Sequence, residues 1–189
     1  MKVALFFGSF NPIHVGHLII AERVLDASGC QALWLVVSPQ NPFKKKQTLA
    51  PAVDRYYMCE LAVDNNPRLR ANNIEFALPK PSFTVDTLTV LTDRYPTHQF
   101  CLVMGGDNLA HLHKWKNYEA ILKYYPIFVY PRPGQGDLPD YPNVTVTPAP
   151  FLDISASYVR QLVQEKKSLK YLLPDPVIDY INRKNLYGA

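Results

Sequence analysis

The chain has no long apolar run. None of its hydrophobic stretches approaches the roughly 20 residues that a membrane-spanning helix needs, so a membrane partner is not expected. Cysteine is scarce as well. Cys30, Cys59 and Cys101 are odd in number, scattered and set in apolar surroundings. That excludes a disulfide framework and reads as reduced core thiols of a cytoplasmic protein. An excess of one charge is also missing: 20 Lys and Arg against 16 Asp and Glu leave a net +4. So mild and dispersed a charge argues against nucleic acid and suits small anionic substrates. A single Lys2 precedes a strand-like run with no small-residue cleavage site, so a signal peptide is not expected. There is no internal repeat. His14-x-x-His17 offers two imidazoles, but no Cys, Asp or Glu stands at a spacing that would complete a zinc tetrahedron. No protein-ligated metal is therefore expected.

What is present is a chain of 189 residues, 48% of them hydrophobic. That is enough for one sizeable core, and one domain over residues 1–189 is the expectation. Apolar runs at Val3–Phe7, Ala32–Val37, Gln99–Met104 and Ile127–Tyr130 read as buried strands. Helical patterns fall between them, at Leu18–Leu25, Val53–Asp64, from Ser82 or Thr84 to Arg94, and His111–Tyr124. Arg68–Leu78 reads as short strand segments. The proline-rich stretch from Pro131 to Pro150 reads as a surface loop around one short strand, Val144–Val146. Two helices close the chain, from Ser155 or Ser157 to Lys166 and from Pro174 to Lys184. Strands alternating with helices predict an α/β fold: a doubly wound, Rossmann-like parallel sheet with helices on both faces.

The chemistry concentrates at Gly8-Ser9-Phe10-Asn11-Pro12-Ile13-His14-Val15-Gly16-His17. This stretch lies between the first strand and the first helix, where open parallel sheets bind ligands. Gly8 permits close backbone approach. His14 and His17 stand one helical turn apart near a helix N-terminus, where amide groups and the helix dipole favour phosphate. A phosphate nucleophile is already anionic at pH 7. Its attack on a nucleoside triphosphate needs alignment and donors rather than a general base.

Near the other end, Ser155 is placed to cap a helix, and Ser157 and Arg160 share a face of its first turns. Hydroxyl, amides and guanidinium would converge there on one anion. Gly105-Gly106-Asp107 follows a strand's carboxyl end, where a carboxylate can accept from ribose hydroxyls. A plain helix cap is the competing reading for both Ser155 and Asp107. Lys44, Lys45 and Lys46 lie in the loop from Ser38 to Pro51 and could screen a triphosphate or merely be solvated.

The first stretch resembles the GxFxPxHxGH signature of the nucleotidyltransferase superfamily, with Asn11 where many members have Asp. Asp153-Ile154-Ser155-Ala156-Ser157-Tyr158-Val159-Arg160 is similar to the same family's ISxTxxR motif, with Ser157 in place of Thr. Pro81-Ser82-Phe83-Thr84-Val85-Asp86-Thr87 and Lys114-Trp115 resemble the pyridine-recognising parts of nicotinate mononucleotide adenylyltransferases. The resemblance implies catalytic roles for His14, His17 and Arg160. It implies ATP contacts at Gly8, Ser9, Phe10, His17, Gly105, Asp107, Arg132, Ser155, Ser157 and Arg160. Lys44, Phe83, Thr84 and Trp115 would receive nicotinate mononucleotide. The implied reaction joins that mononucleotide to the AMP part of ATP and releases pyrophosphate, with Mg²⁺ accompanying ATP. Relatives using nicotinamide mononucleotide or pantetheine phosphate, and a non-catalytic nucleotide-binding protein, are the alternatives. The oligomeric state is left open.

Overall fold

In the computed structural model, six strands form one all-parallel sheet in the order β3-β2-β1-β4-β5-β6. The structure describes residues 1–39, 49–131, 136–148, 150 and 152–189. The strands are β1 (Lys2–Gly8), β2 (Ala32–Val37), β3 (Leu69–Asn72), β4 (Gln99–Gly105), β5 (Ile127–Tyr130) and β6 (Val144–Val146). The helices are α1 (Val15–Ser28), α2 (Ala52–Val63), α3 (Thr84–Arg94), α4 (Gly106–Ala110), α5 (Tyr118–Tyr124), α6 (Ala156–Gln164) and α7 (Asp175–Lys184).

The central strands β1, β2 and β4 are largely apolar because each feeds two cores. Ala4, Phe6, Leu33, Leu35, Cys101 and Val103 join α1, α2, α6 and α7 on one face. Val3, Leu5, Trp34, Val36, Phe100, Leu102 and Met104 join α3 and α5 on the other. Alternate side chains of an extended strand point to opposite faces, so a sheet covered twice needs no polar alternation. All three cysteines are free thiols in these cores, and the sulfurs of Cys30 and Cys101 lie 3.1 Å apart.

The order of strands reverses beside β1. The chain leaves β1 to build β2 and β3 on one side, and later β4, β5 and β6 on the other. Crossovers diverging in this way open a crevice outside the strands' carboxyl ends. β1 and β4 are neighbours in parallel register, Phe6 opposite Val103. Gly8 and Gly105 therefore end adjacent strands, and the turns that follow them flank the crevice.

Several boundaries differ from the sequence reading. Between Arg68 and Leu78 only β3 is a strand, and Ile74–Ala77 is a 3-10 turn. The stretch His111–Tyr124, read as mostly helical, is interrupted at Trp115–Asn117. A 3-10 turn, Leu112–Lys114, ends at Trp115, which is extended, and Asn117 is left-handed at φ 51°. Asn tolerates that conformation well, so it resets the chain before α5. Neither Ser82 nor Thr84 caps α3: the cap position is Phe83, and the Ser82 hydroxyl donates instead to Glu75. His98 is half-buried against Trp34 and Phe100.

Candidate active site

The turn after β1 is buried rather than loose. Ser9, Phe10, Asn11, Ile13 and His14 are each 5% exposed or less. Phe10 has a left-handed backbone, φ 44°, which folds its ring back onto β1. A Cβ at Gly8 would sit 2.8 Å from that ring. Gly8 therefore makes room for Phe10, rather than only for a ligand as the sequence reading had it. The Phe10 ring packs edge-on to Phe6 and His17, so Phe10 shapes the turn from within.

His14 is the N-cap of α1, and His17 is its third helical residue. Their rings stack, with centroids 3.7 Å apart and planes 30° from parallel. The backbone N–H of His14 donates to Nδ1 of His17 at 3.2 Å. A neutral His17 therefore carries its proton on Nε2 and presents that nitrogen as a donor. Gly16 allows the stack: a Cβ there would lie 3.0 Å from the His14 Nδ1. The same position faces Ile154 at 3.9 Å, which brings the second motif against the first.

α6 completes that meeting. Ser155 is its N-cap, accepting from the Tyr158 N–H at 3.1 Å. Arg160 is half-buried; its Nη1 donates to the Asn11 carbonyl at 2.8 Å and its Nη2 to the Ser157 hydroxyl at 3.1 Å. Residues 149 apart in sequence thus share one site. The turn that carries the imidazoles and the helix start that carries Ser157 and Arg160 are thus in contact.

Two further groups brace the turn. Arg55, on the first turn of α2, is 1% exposed. It donates to the carbonyls of Ser9, Ser38, Pro39 and Ala50 at 2.5, 2.8, 2.9 and 2.9 Å. Burial lowers its pKa below the usual arginine value. Four carbonyl dipoles stand where a carboxylate partner would otherwise be needed. The Asn11 Oδ1 accepts from the Ala50 N–H and from the Tyr187 hydroxyl, at 3.0 and 2.9 Å. Burial raises the Tyr187 pKa well above the ordinary phenol, so it stays a donor. The Ser9 hydroxyl is buried and has no partner among the described residues.

At the end of β4, Gly105 caps α4, which puts Asp107 in its first turn rather than at the cap. A Cβ at Gly105 would collide with the Asp107 carboxylate and approach the Tyr130 hydroxyl at 3.3 Å. Tyr130 in turn packs edge-on to Phe6, 5.8 Å away, so this corner adjoins the imidazole corner.

The stretches around Phe83-Thr84 and Trp115 are more open. Phe83 is 37% exposed and Trp115 half-buried. Lys116, next to Trp115, ties the two stretches together. Its ammonium pairs with the Asp86 carboxylate at 2.9 Å and lies 5.0 Å from the Phe83 ring centre. Lys44 and Arg132, proposed from sequence for phosphate and adenosine contacts, fall outside the described residues.

Sequence reasoning missed Arg55, Glu75, Lys116 and Tyr187. For Arg55 a signal existed, a lone cation on the inward face of an apolar helix. Tyr187 carried none.

A family model described as cytidylyltransferase-like matches residues 5–162. A protein of Cytophaga hutchinsonii named probable nicotinate-nucleotide adenylyltransferase is 51% identical, across 100% of this chain and 99% of its own length. One of the same name from Flavobacterium psychrophilum is 44% identical over 99% of both chains. In solved structures, Plasmodium falciparum nicotinic acid mononucleotide adenylyltransferase complexed with NaAD superposes with a TM-score of 0.82. It covers 98% of this chain and 97% of its own, at 20% identity, a likeness of fold.

Proposed function

The chain belongs to the cytidylyltransferase-like family and, within it, to the nicotinate-nucleotide adenylyltransferases; from that premise we propose how its residues carry the reaction. The enzyme transfers the adenylyl group of ATP to nicotinate mononucleotide, giving nicotinate adenine dinucleotide and pyrophosphate, a step of NAD biosynthesis. A phosphate oxygen of the mononucleotide forms the new bond to the α-phosphorus of ATP. The bond from that phosphorus to the β-phosphate bridging oxygen breaks, and its electron pair leaves with pyrophosphate.

No side chain has to take a proton, since the attacking oxygen is already anionic. The protein's work is to align and to donate. His17, held with its donor on Nε2, stabilises charge on the α-phosphate, with His14 beside it. Arg160, Ser157 and the amides at the start of α6 hold the β- and γ-phosphates. Ser9 and the Gly8–Phe10 backbone line the triphosphate, and Gly105 and Asp107 receive the adenosine, with the Asp107 carboxylate accepting from ribose. Trp115 stacks on the pyridine, and the amides of Phe83 and Thr84 hold its carboxylate. Lys44 and Arg132 complete the phosphate and adenosine contacts.

Mg²⁺ enters with ATP. Among the described residues no three His, Cys, Asp or Glu side chains gather into a metal site. The ion is proposed to come with the triphosphate that it accompanies. When bound it neutralises charge on the leaving pyrophosphate. Three buried free thiols support a reducing, cytoplasmic setting.

The observation that carries this reading is the Arg160 hydrogen bond to the Asn11 carbonyl, beside the stacked imidazoles. The test is pyrophosphate release from ATP with nicotinate mononucleotide, nicotinamide mononucleotide and pantetheine phosphate offered in turn. Turnover is expected to be fastest with the first. Faster turnover with either of the others would overturn the assignment.

A further inference from the structure

Among the described residues Glu75 is the one buried carboxylate, 2% exposed, in the 3-10 turn after β3. Among the described residues no cation pairs with it. Its partners are two hydroxyls. The Ser82 Oγ donates to one oxygen at 2.9 Å and the Thr87 Oγ1 to the other at 2.8 Å. These residues bracket Phe83-Thr84, the start of α3. The Thr87 hydroxyl also approaches the Phe83 carbonyl at 3.3 Å, and the Thr87 and Asp86 N–H groups donate to that carbonyl.

Burying a carboxylate without a cation is costly, and a leucine-sized apolar group would be cheaper for stability alone. What the carboxylate does that leucine cannot is grip two donors five residues apart, one on each side of a helix start. The first N–H groups of a helix have no partner within it. Their aim is set by the turn that leads in, and no side chain caps α3 from the Phe83 position. Glu75 supplies from the neighbouring turn the fixing that a cap residue would give.

We propose that Glu75 is a positioning residue for the acceptor substrate: it clamps Ser82 and Thr87 so that the Phe83-Thr84 amides are held ready for the pyridine carboxylate. This rests on the acceptor assignment above. Glu75 touches no substrate. Its effect passes through the geometry of the α3 start, and it is confined to one of the two substrates, because the ATP corner is braced by Arg55, Arg160 and Tyr187 instead.

The test compares wild type with Glu75→Ala, Glu75→Gln and Ser82→Ala, measuring KM separately for nicotinate mononucleotide and ATP alongside thermal unfolding. Glu75→Ala is expected to raise KM for the mononucleotide about tenfold, the scale of losing hydrogen bonds to a charged group, with KM for ATP within about twofold. Glu75→Gln keeps the shape, accepting one hydroxyl and donating to the other, and should recover most of the loss. Ser82→Ala removes one of the two grips on a half-buried residue that folding tolerates, and should raise the mononucleotide KM about threefold. Equal losses for both substrates, or an unchanged mononucleotide KM in Ser82→Ala and any folded Glu75 variant, would overturn the inference. A wild-type enzyme that turns over ATP without using nicotinate mononucleotide would instead remove the acceptor assignment, and this inference with it.

Discussion

The turn after β1, proposed as the phosphate corner, and the Phe83 and Trp115 stretches, proposed as the pyridine wall, are built by different means. The turn after β1 is buried and tied at four points: Arg55 to the Ser9 carbonyl, Arg160 to the Asn11 carbonyl, and Tyr187 and the Ala50 N–H to the Asn11 side chain. The pyridine wall is exposed at Phe83 and held from beneath by Glu75 and from the side by the Lys116–Asp86 pair. The difference follows the chemistry. Transition-state charge must be met by donors that do not reorganise, which calls for a rigid, enclosed turn. Choosing one flat ring over another needs only a platform and two amides, and these can sit near solvent.

The sharpest way to break that contrast is His17→Ala. Loss of one preorganised donor should lower kcat by about 10²–10³, with KM for nicotinate mononucleotide nearly unchanged and stability down by about 1 kcal/mol, because the His14 N–H loses its acceptor. A kcat within about threefold of wild type would show that the imidazole carries no transition-state charge. Arg55→Ala should act on stability first. Four carbonyls lose a charged donor in a buried place, which should cost about 3 kcal/mol or more in urea unfolding. Little change there would mean that the turn stands without its brace.

Trp115→Ala belongs to the other region. Its loss of stacking, roughly 0.5–1.5 kcal/mol, should raise KM for nicotinate mononucleotide by about two- to tenfold and leave ATP alone. An equal effect on ATP would erase the division between the two regions. Ser155→Ala removes a helix cap at a cost of about 1 kcal/mol in unfolding. Asn11→Asp should be the mildest. Its Oδ1 accepts from Tyr187 and Ala50, and a carboxylate accepts both bonds. Turnover within about threefold is expected, and a larger loss would show that the amide N–H₂ matters.

The strands and their order of appearance were legible because a twice-covered parallel sheet writes itself as short apolar runs. The two phosphate motifs were legible because glycine, histidine and arginine at those spacings have few other uses. What was hidden depends on partners far away in sequence. Arg55 looks like any helix cation until four carbonyls close round it. Glu75 looks like a surface acid until the fold covers it. The helix expected through Trp115 failed for a local reason, the left-handed Asn117, but nothing in the pattern there announced the break.

The bond from Arg160 to the Asn11 carbonyl has a bearing on biosynthesis. Synthesis runs from the amino end, so Asn11 is made 149 residues before Arg160. During that interval half of the proposed cradle is missing. A prematurely released amino-terminal fragment would therefore hold ATP weakly, and full occupancy would report that synthesis had run past Arg160.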